Sequence, residues 1–147
     1  MNNKINKTAG GIVYKEENIL LIKKNKKWDL PKGKIEKSYT KQQTAIQEIF
    51  EETGIPKNKM IIKWKLAPTK YLKKINKEII IKHTTWYLVQ FHGSLKDPLI
   101  PDIKEGISKC RWVPINNLDS KMENSFPHIV YIIKYYLSLK KNNVIRE

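Results

Sequence analysis

One cysteine, Cys110, in 147 residues leaves no pair for an intramolecular disulfide, and its Lys-Cys-Arg-Trp-Val setting reads as strand with no companion nucleophile. Long apolar runs are also missing. No stretch approaches the roughly 20 residues that span a bilayer, and the polar start Met1-Asn-Asn-Lys lacks a signal peptide's apolar segment, so the expectation is a cytoplasmic protein without membrane contact. Arginine is scarce at 2 of 29 basic residues, and acids number only 14, which leaves a net charge of +15. The accompanying excess of lysine, isoleucine and asparagine is what an AT-rich genome produces whatever the function. With lysines spread along most of the chain, the positive field reads as attraction for phosphorylated small molecules ahead of a dedicated nucleic-acid interface. His83, His92 and His128 have no metal-ligand spacing, and neither a P-loop nor a dinucleotide fingerprint occurs, which argues against kinase, zinc-hydrolase and oxidoreductase chemistry. No repeat or linker divides residues 1–147, and a single domain of this length buries roughly two-thirds of its unfolded surface.

What is present is an unusual concentration of acid. Glu48, Glu51 and Glu52 fall within one turn of a segment whose Ala45, Ile46, Ile49, Phe50 and Thr53 recur at helical spacing, on an arc expected largely opposite the acids. Thr40 with Gln43 fits a capping box, and Gly54 followed by Ile55-Pro56 fits a stop, so the helix is expected over Lys41–Thr53. Three carboxylates on one turn repel each other and raise each other's pKa. A hard divalent cation removes the conflict, and magnesium leaves positions open for water and substrate phosphates. A solvated acidic helix face is the plainer alternative for an isolated ExxEE pattern.

The segment from Gly33 to Ile55 resembles the Nudix box, the signature of the Nudix hydrolases: Gly, five residues, Glu, seven residues, then Arg-Glu-apolar-x-Glu-Glu-x-Gly-apolar. Gly33, Glu48, Ile49, Glu51, Glu52, Gly54 and Ile55 match in register, and the likeness extends upstream through Trp28-Asp-Leu-Pro-Lys-Gly33. Two positions depart from the pattern: Tyr39 stands where the family has its first glutamate, and Gln47 where it has arginine. Gln47 can donate a hydrogen bond but lacks the charge and rigid fork of a guanidinium, which puts catalytic efficiency or substrate preference in question.

The resemblance implies an α+β protein with the Nudix fold, an α/β/α sandwich whose mixed sheet lies between helices. It implies magnesium, or manganese in its place, held by Gly33, Glu48, Glu51 and Glu52, with Glu48 the candidate base. Glu105-Gly106, before Trp112, is similar to a family segment that brings a further carboxylate to the site; a plain surface glutamate is the other reading. Lys32 beside the glycine loop is a candidate phosphate ligand or one more solvated lysine. Tyr71, 16 residues after Ile55, sits near the spacing of a substrate tyrosine in dinucleoside polyphosphate hydrolases of the family, where a ring can stack on a base or plug a core edge. The implied substrate is a phosphorylated nucleotide, first a dinucleoside polyphosphate, then an oxidised nucleoside triphosphate or an RNA 5′ end. A catalytically weak nucleotide-binding module and a basic RNA-binding protein are the alternatives. The sequence carries no sign of oligomeric state.

For the remaining elements, Thr8–Tyr14 and Asn18–Lys23 read as strands joined by a charged turn, and further strands are expected at Met60–Leu66, Glu78–Phe91 and Cys110–Ile115. Lys96–Ser108, with Pro98 and Pro101, reads as a loop long enough to serve function, and Ser125 and Pro127 open a terminal helix with a broad apolar face.

Overall fold

The computed structural model describes residues 4–145. Its strands are β1 (Lys4–Lys15), β2 (Asn18–Lys24), β3 (Lys27–Asp29), β4 (Lys32–Lys34), β5 (Met60–Lys65), β6 (Thr69–Ile75), β7 (Glu78–Phe91) and β8 (Ile107–Pro114); its helices are α1 (Lys41–Thr53), α2 (Leu118–Met122) and α3 (Pro127–Lys141). All eight strands join one mixed sheet. β1 runs parallel to β7 from Lys4↔Ile80 to Tyr14↔Gln90, while its other edge pairs antiparallel with β4 near Gly10 and with β2 near Tyr14. β5 and β6 pair antiparallel with β7, and β3 and β8 with β2.

Strand alternation sorts the core into two layers. Ala9, Val13, Leu20, Ile22, Tyr87 and Val89 pack with Ala45 and Ile49 of α1 on one face. Ile12, Ile19, Leu21, Trp86 and Leu88 pack with Ile129, Ile132, Ile133 and Tyr136 of α3 on the other. This is the expected α+β sandwich with a mixed sheet between helices.

α1 begins and ends where its sequence signals lie. The Thr40 hydroxyl accepts from the Gln43 backbone N–H at 3.0 Å, and the Gln43 side chain accepts from the Thr40 N–H at 2.9 Å. Gly54 closes the helix at φ 78°, a left-handed conformation that costs glycine little. The facing of the helix departs from expectation. The acids flank the apolar stripe instead of opposing it: Glu52, three residues after Ile49, is 3% exposed, while Phe50, expected in the core, is 40% exposed. β6 is a second departure, since Lys70, Lys73 and Lys74 hide its strand character. Asn76 and Lys77, at φ 49° and 67°, make the tight turn that folds it back on β7. The expected Lys96–Ser108 loop also contains a short 3-10 turn at Ile103–Glu105, and β8 already begins at Ile107.

Candidate active site

Gly33 pairs with Ala9 across the β1–β4 ladder, so its missing side chain faces the α1 layer. A Cβ there would collide with the Glu48 carboxylate. The present position of that carboxylate, at the end of a flexible side chain, therefore depends on glycine. Glu52, one turn further on, accepts the Lys32 backbone N–H at 3.2 Å. Glu51 is exposed and accepts from the Gln47 side chain at 2.7 Å, so the residue standing in the family's arginine position still orients an acid of the trio, with a neutral donor.

The loop after β7 is fastened to the C-terminal end of α1. The Ile100 N–H donates to the Thr53 carbonyl at 2.8 Å, and the Asp102 N–H to the Glu52 carbonyl at 3.3 Å. The turn that follows places Glu105 beside Glu48. The result is a polar cavity of about 250 Å³ lined by Glu48, Glu51, Glu52, Asp102 and Glu105, with Glu36 and three lysines, Lys24, Lys32 and Lys34, at its walls.

Electrostatics inside the cavity reflect carboxylate crowding. Burial, then the charges of Glu51 and Glu105, push Glu48 up to about 7; burial pushes Glu52 up to about 8, with Lys24 the largest opposing influence. Among the described residues, no three His, Cys, Asp or Glu side chains already converge as a finished metal-ligand set. The donors nevertheless fit a hard cation. They are all oxygens, they are short of positive charge, and the one position that must come close to them, Gly33, has no side chain in the way.

Cys110 takes no part as a nucleophile. Its buried thiol donates to the Glu52 carbonyl at 3.6 Å, and burial with the Glu52 charge pushes it up to about 12.

Lys32 and Tyr71 lie on the opposite face of the sheet from the glutamates. The Lys32 ammonium is held by Asp29 at 2.9 Å, so only the Lys32 backbone reaches the trio. Tyr71, on β6, stacks on His128 of α3 with ring centroids 4.1 Å apart, and Phe126 stacks on the same histidine at 5.5 Å. These rings line an open cavity of about 630 Å³ with Thr69, Pro127 and Tyr131. Burial and the Lys32 charge push His128 down to about 4, which keeps its imidazole neutral at pH 7.

Sequence reasoning missed Lys24, Asp102 and His128. Lys24 is one lysine among many, Asp102 gains its position from the loop's bonds to α1, and His128 meets Tyr71 only because α3 docks on β6.

This fold and this cavity are those of a Nudix protein, and comparison with known proteins agrees. The NUDIX domain model matches residues 4–132, and the chain belongs to that family. A putative mutator protein MutT4 of Mycobacterium tuberculosis is 35% identical over 96 residues, covering 65% of this chain and 36% of the relative. An RNA pyrophosphohydrolase of Roseobacter denitrificans is 26% identical over 112 residues, covering 68% of this chain and 66% of the relative. This chain thus spans about a third of the first of these proteins and just under two-thirds of the second. Among solved structures, a C. elegans Ap4A hydrolase binary complex superimposes with a TM-score of 0.69 at 16% identity, covering 93% of this chain and 98% of that one.

Proposed function

We propose that the protein hydrolyses a phosphoanhydride bond in a nucleoside diphosphate linked to another group, with dinucleoside polyphosphates the first candidates. The carrying observation is the packing of the Glu48 carboxylate against side-chain-free Gly33, inside a cavity that gathers six carboxylates and three lysines. Glu51, Glu52, Glu48 and the Gly33 backbone would hold magnesium, or manganese in its place. When bound there, the ion neutralises phosphate charge and acidifies a coordinated water.

The chain's own residues supply the rest. Glu48, packed against the glycine loop, is poised to take the proton of the attacking water as the new P–O bond forms and the bridging P–O bond breaks, the leaving phosphate departing with the bond's electrons. Glu105 stands beside Glu48 as a second base or as a further ligand. Gln47 holds Glu51 through a neutral hydrogen bond, which supports a slower enzyme than one with arginine there. Lys24 and Lys34 offer positive charge to the phosphates from the cavity wall, and Tyr71 with His128 offers a base a ring to stack on.

The test is phosphate release with magnesium across dinucleoside polyphosphates, nucleoside triphosphates, nucleotide sugars and 5′-triphosphorylated RNA, beside Glu52→Gln. Turnover of at least one class, abolished in the variant, supports the reading. Equal turnover in the variant removes the metal mechanism, and silence across the panel leaves a nucleotide-binding module.

A further inference from the structure

Among the described residues β6 pairs with β7 alone. Ile75 and Glu78 flank the two-residue turn Asn76-Lys77, the place in such a hairpin where opposite residues exchange both backbone bonds. Alternation from there ties Ile75, Lys73, Tyr71 and Thr69 to β7 and turns the N–H and C=O groups of Lys74, Leu72 and Lys70 outward. No other backbone bond takes up those three among the described residues. The strand thus presents a bare ladder edge, a template on which a further strand can form.

The side chains beside that edge stand in rows. Strand register sets Ile5 of β1, Ile81 of β7 and Leu72 of β6 side by side, on the face that carries Ala9, Val13, Tyr87 and Val89 against α1 further along. α1 leaves this end open: Leu72 is 68% exposed, Ile5 56%, and Ile79, two residues from Ile81, 50%. The next row on the same face is Lys7, His83 and Lys70, and Lys74 stands opposite Ile79. Burial, then the charges of Lys70, Lys41 and Lys7, holds His83 below its usual range. Among the described residues no carboxylate pairs with Lys7, Lys70 or Lys74. Along β6 this face therefore reads cation, apolar, cation.

That pattern discriminates among partners. A second β6 paired antiparallel about Leu72 would set Lys70 against Lys74 twice, and like charges opposed across strands are unfavourable. A single-stranded nucleic acid stacks on aromatic rings, whereas Ile5, Ile81, Leu72 and Ile79 are aliphatic. A bilayer would leave the open N–H and C=O groups without partners. Guarding the edge against copies of itself accounts for the lysines but not for an exposed leucine between them. An acidic strand accounts for both.

We propose that the outer edge of β6 is a docking site for an extended acidic segment of a partner protein, which adds a strand to the sheet and sets an apolar side chain against Leu72 between two carboxylates that meet Lys70 and Lys74. Backbone bonds to Lys70, Leu72 and Lys74 hold the segment, and its alternate side chains select it. The recognised pattern is acid, any residue, apolar, any residue, acid, which reads alike in either strand direction. This binding function does not rest on the hydrolase reading.

The probe is the capped peptide Thr-Glu-Thr-Ile-Thr-Glu-Thr, which matches the seven residues of β6, titrated into the full chain and followed by amide chemical shifts and hydrogen exchange. Saturation is expected below about 1 mM. At saturation, exchange should slow about tenfold or more at Lys70, Leu72 and Lys74, while Tyr71 and Lys73, already bonded to β7, change little. The same peptide with lysine in place of both glutamates should bind about tenfold more weakly, and Lys70→Glu/Lys74→Glu should reverse that order. Leu72→Pro removes the central outward donor and no bond to β7, so it should abolish the shifts. No saturation, equal affinity for the acidic and basic peptides, or binding that leaves the Leu72 amide exchanging freely overturns the proposal. So does equal slowing of these amides by a single-stranded RNA oligomer, by phosphatidylserine vesicles or by self-association of the chain. The peptide comparison uses the unaltered chain, and unchanged melting temperatures establish that the variants fold.

Discussion

The carboxylate cavity and the aromatic cavity lie on opposite faces of one sheet and are built in opposite ways. The first comes largely from one contiguous segment, Gly33 to Glu52, closed by a single loop that is hydrogen-bonded to the end of α1. The second comes from β6 and the start of α3, with Tyr71 and His128 57 residues apart in sequence and 4.1 Å apart in space. On the proposed reading, bond-breaking chemistry is tied to local geometry carried by one segment, whereas recognition is spread over elements that meet only in the finished fold. Substitutions in the first region should alter kcat, and those in the second KM.

The sharpest way to break this contrast lies at Gly33. Gly33→Ala places a Cβ against the Glu48 carboxylate and must displace it, so kcat should fall about a hundredfold with little change in KM. Steady-state kinetics checks this, and a pure KM effect would make the glycine loop a recognition element. Next in size is Tyr71→Ala, expected to raise KM about tenfold and leave kcat within about twofold, the scale of one lost base stack. An equal fall in kcat would tie the aromatic cavity to the chemistry. Gln47→Arg should give a few-fold rise in kcat, since a charged donor holds Glu51 more firmly than the present amide. A fall instead would mean that the neutral donor is matched to this site.

The smallest effect concerns pH. His128 is held near 4 in the fold, against about 6.5 in an unfolded chain, so between those values the unfolded state binds more protons. Stability contributed by neutral His128, about 1 kcal/mol for a half-buried ring, is therefore present above pH 6.5 and lost as pH falls toward 4. Denaturant midpoints across that range should fall less steeply in His128→Phe than in the parent, and parallel curves would remove His128 as their cause.

The same contrast explains what could be read from the sequence. Thr40, Gln43 and Gly54 mark the bounds of α1 because caps act within a few residues, and the spacing from Gly33 to the glutamates survives because one loop and one helix carry it. The arc of α1 that enters the core was less legible. Phe50 looks apolar enough to bury, yet it stands off the arc set by Thr44, Ala45, Ile49 and Thr53 and lies under the Lys57 ammonium, while Glu52 is covered by the 100–105 loop and β4, partners with no imprint on the helix's own periodicity. β6 escaped because its lysines mask a strand that pairing with β7 stabilises. His128 meets Tyr71 only through the docking of α3 on β6, which no local pattern encodes.

The central claim is that the Gly33–Glu52 unit is a divalent-cation site, and the most direct measurement is a calorimetric titration of manganese into the purified chain and into Glu52→Gln, with melting temperatures taken alongside. The account predicts saturable binding to the parent with a rise in melting temperature, and at least tenfold weaker binding with little rise in the variant. Equal binding to both, or none to the parent, would contradict it.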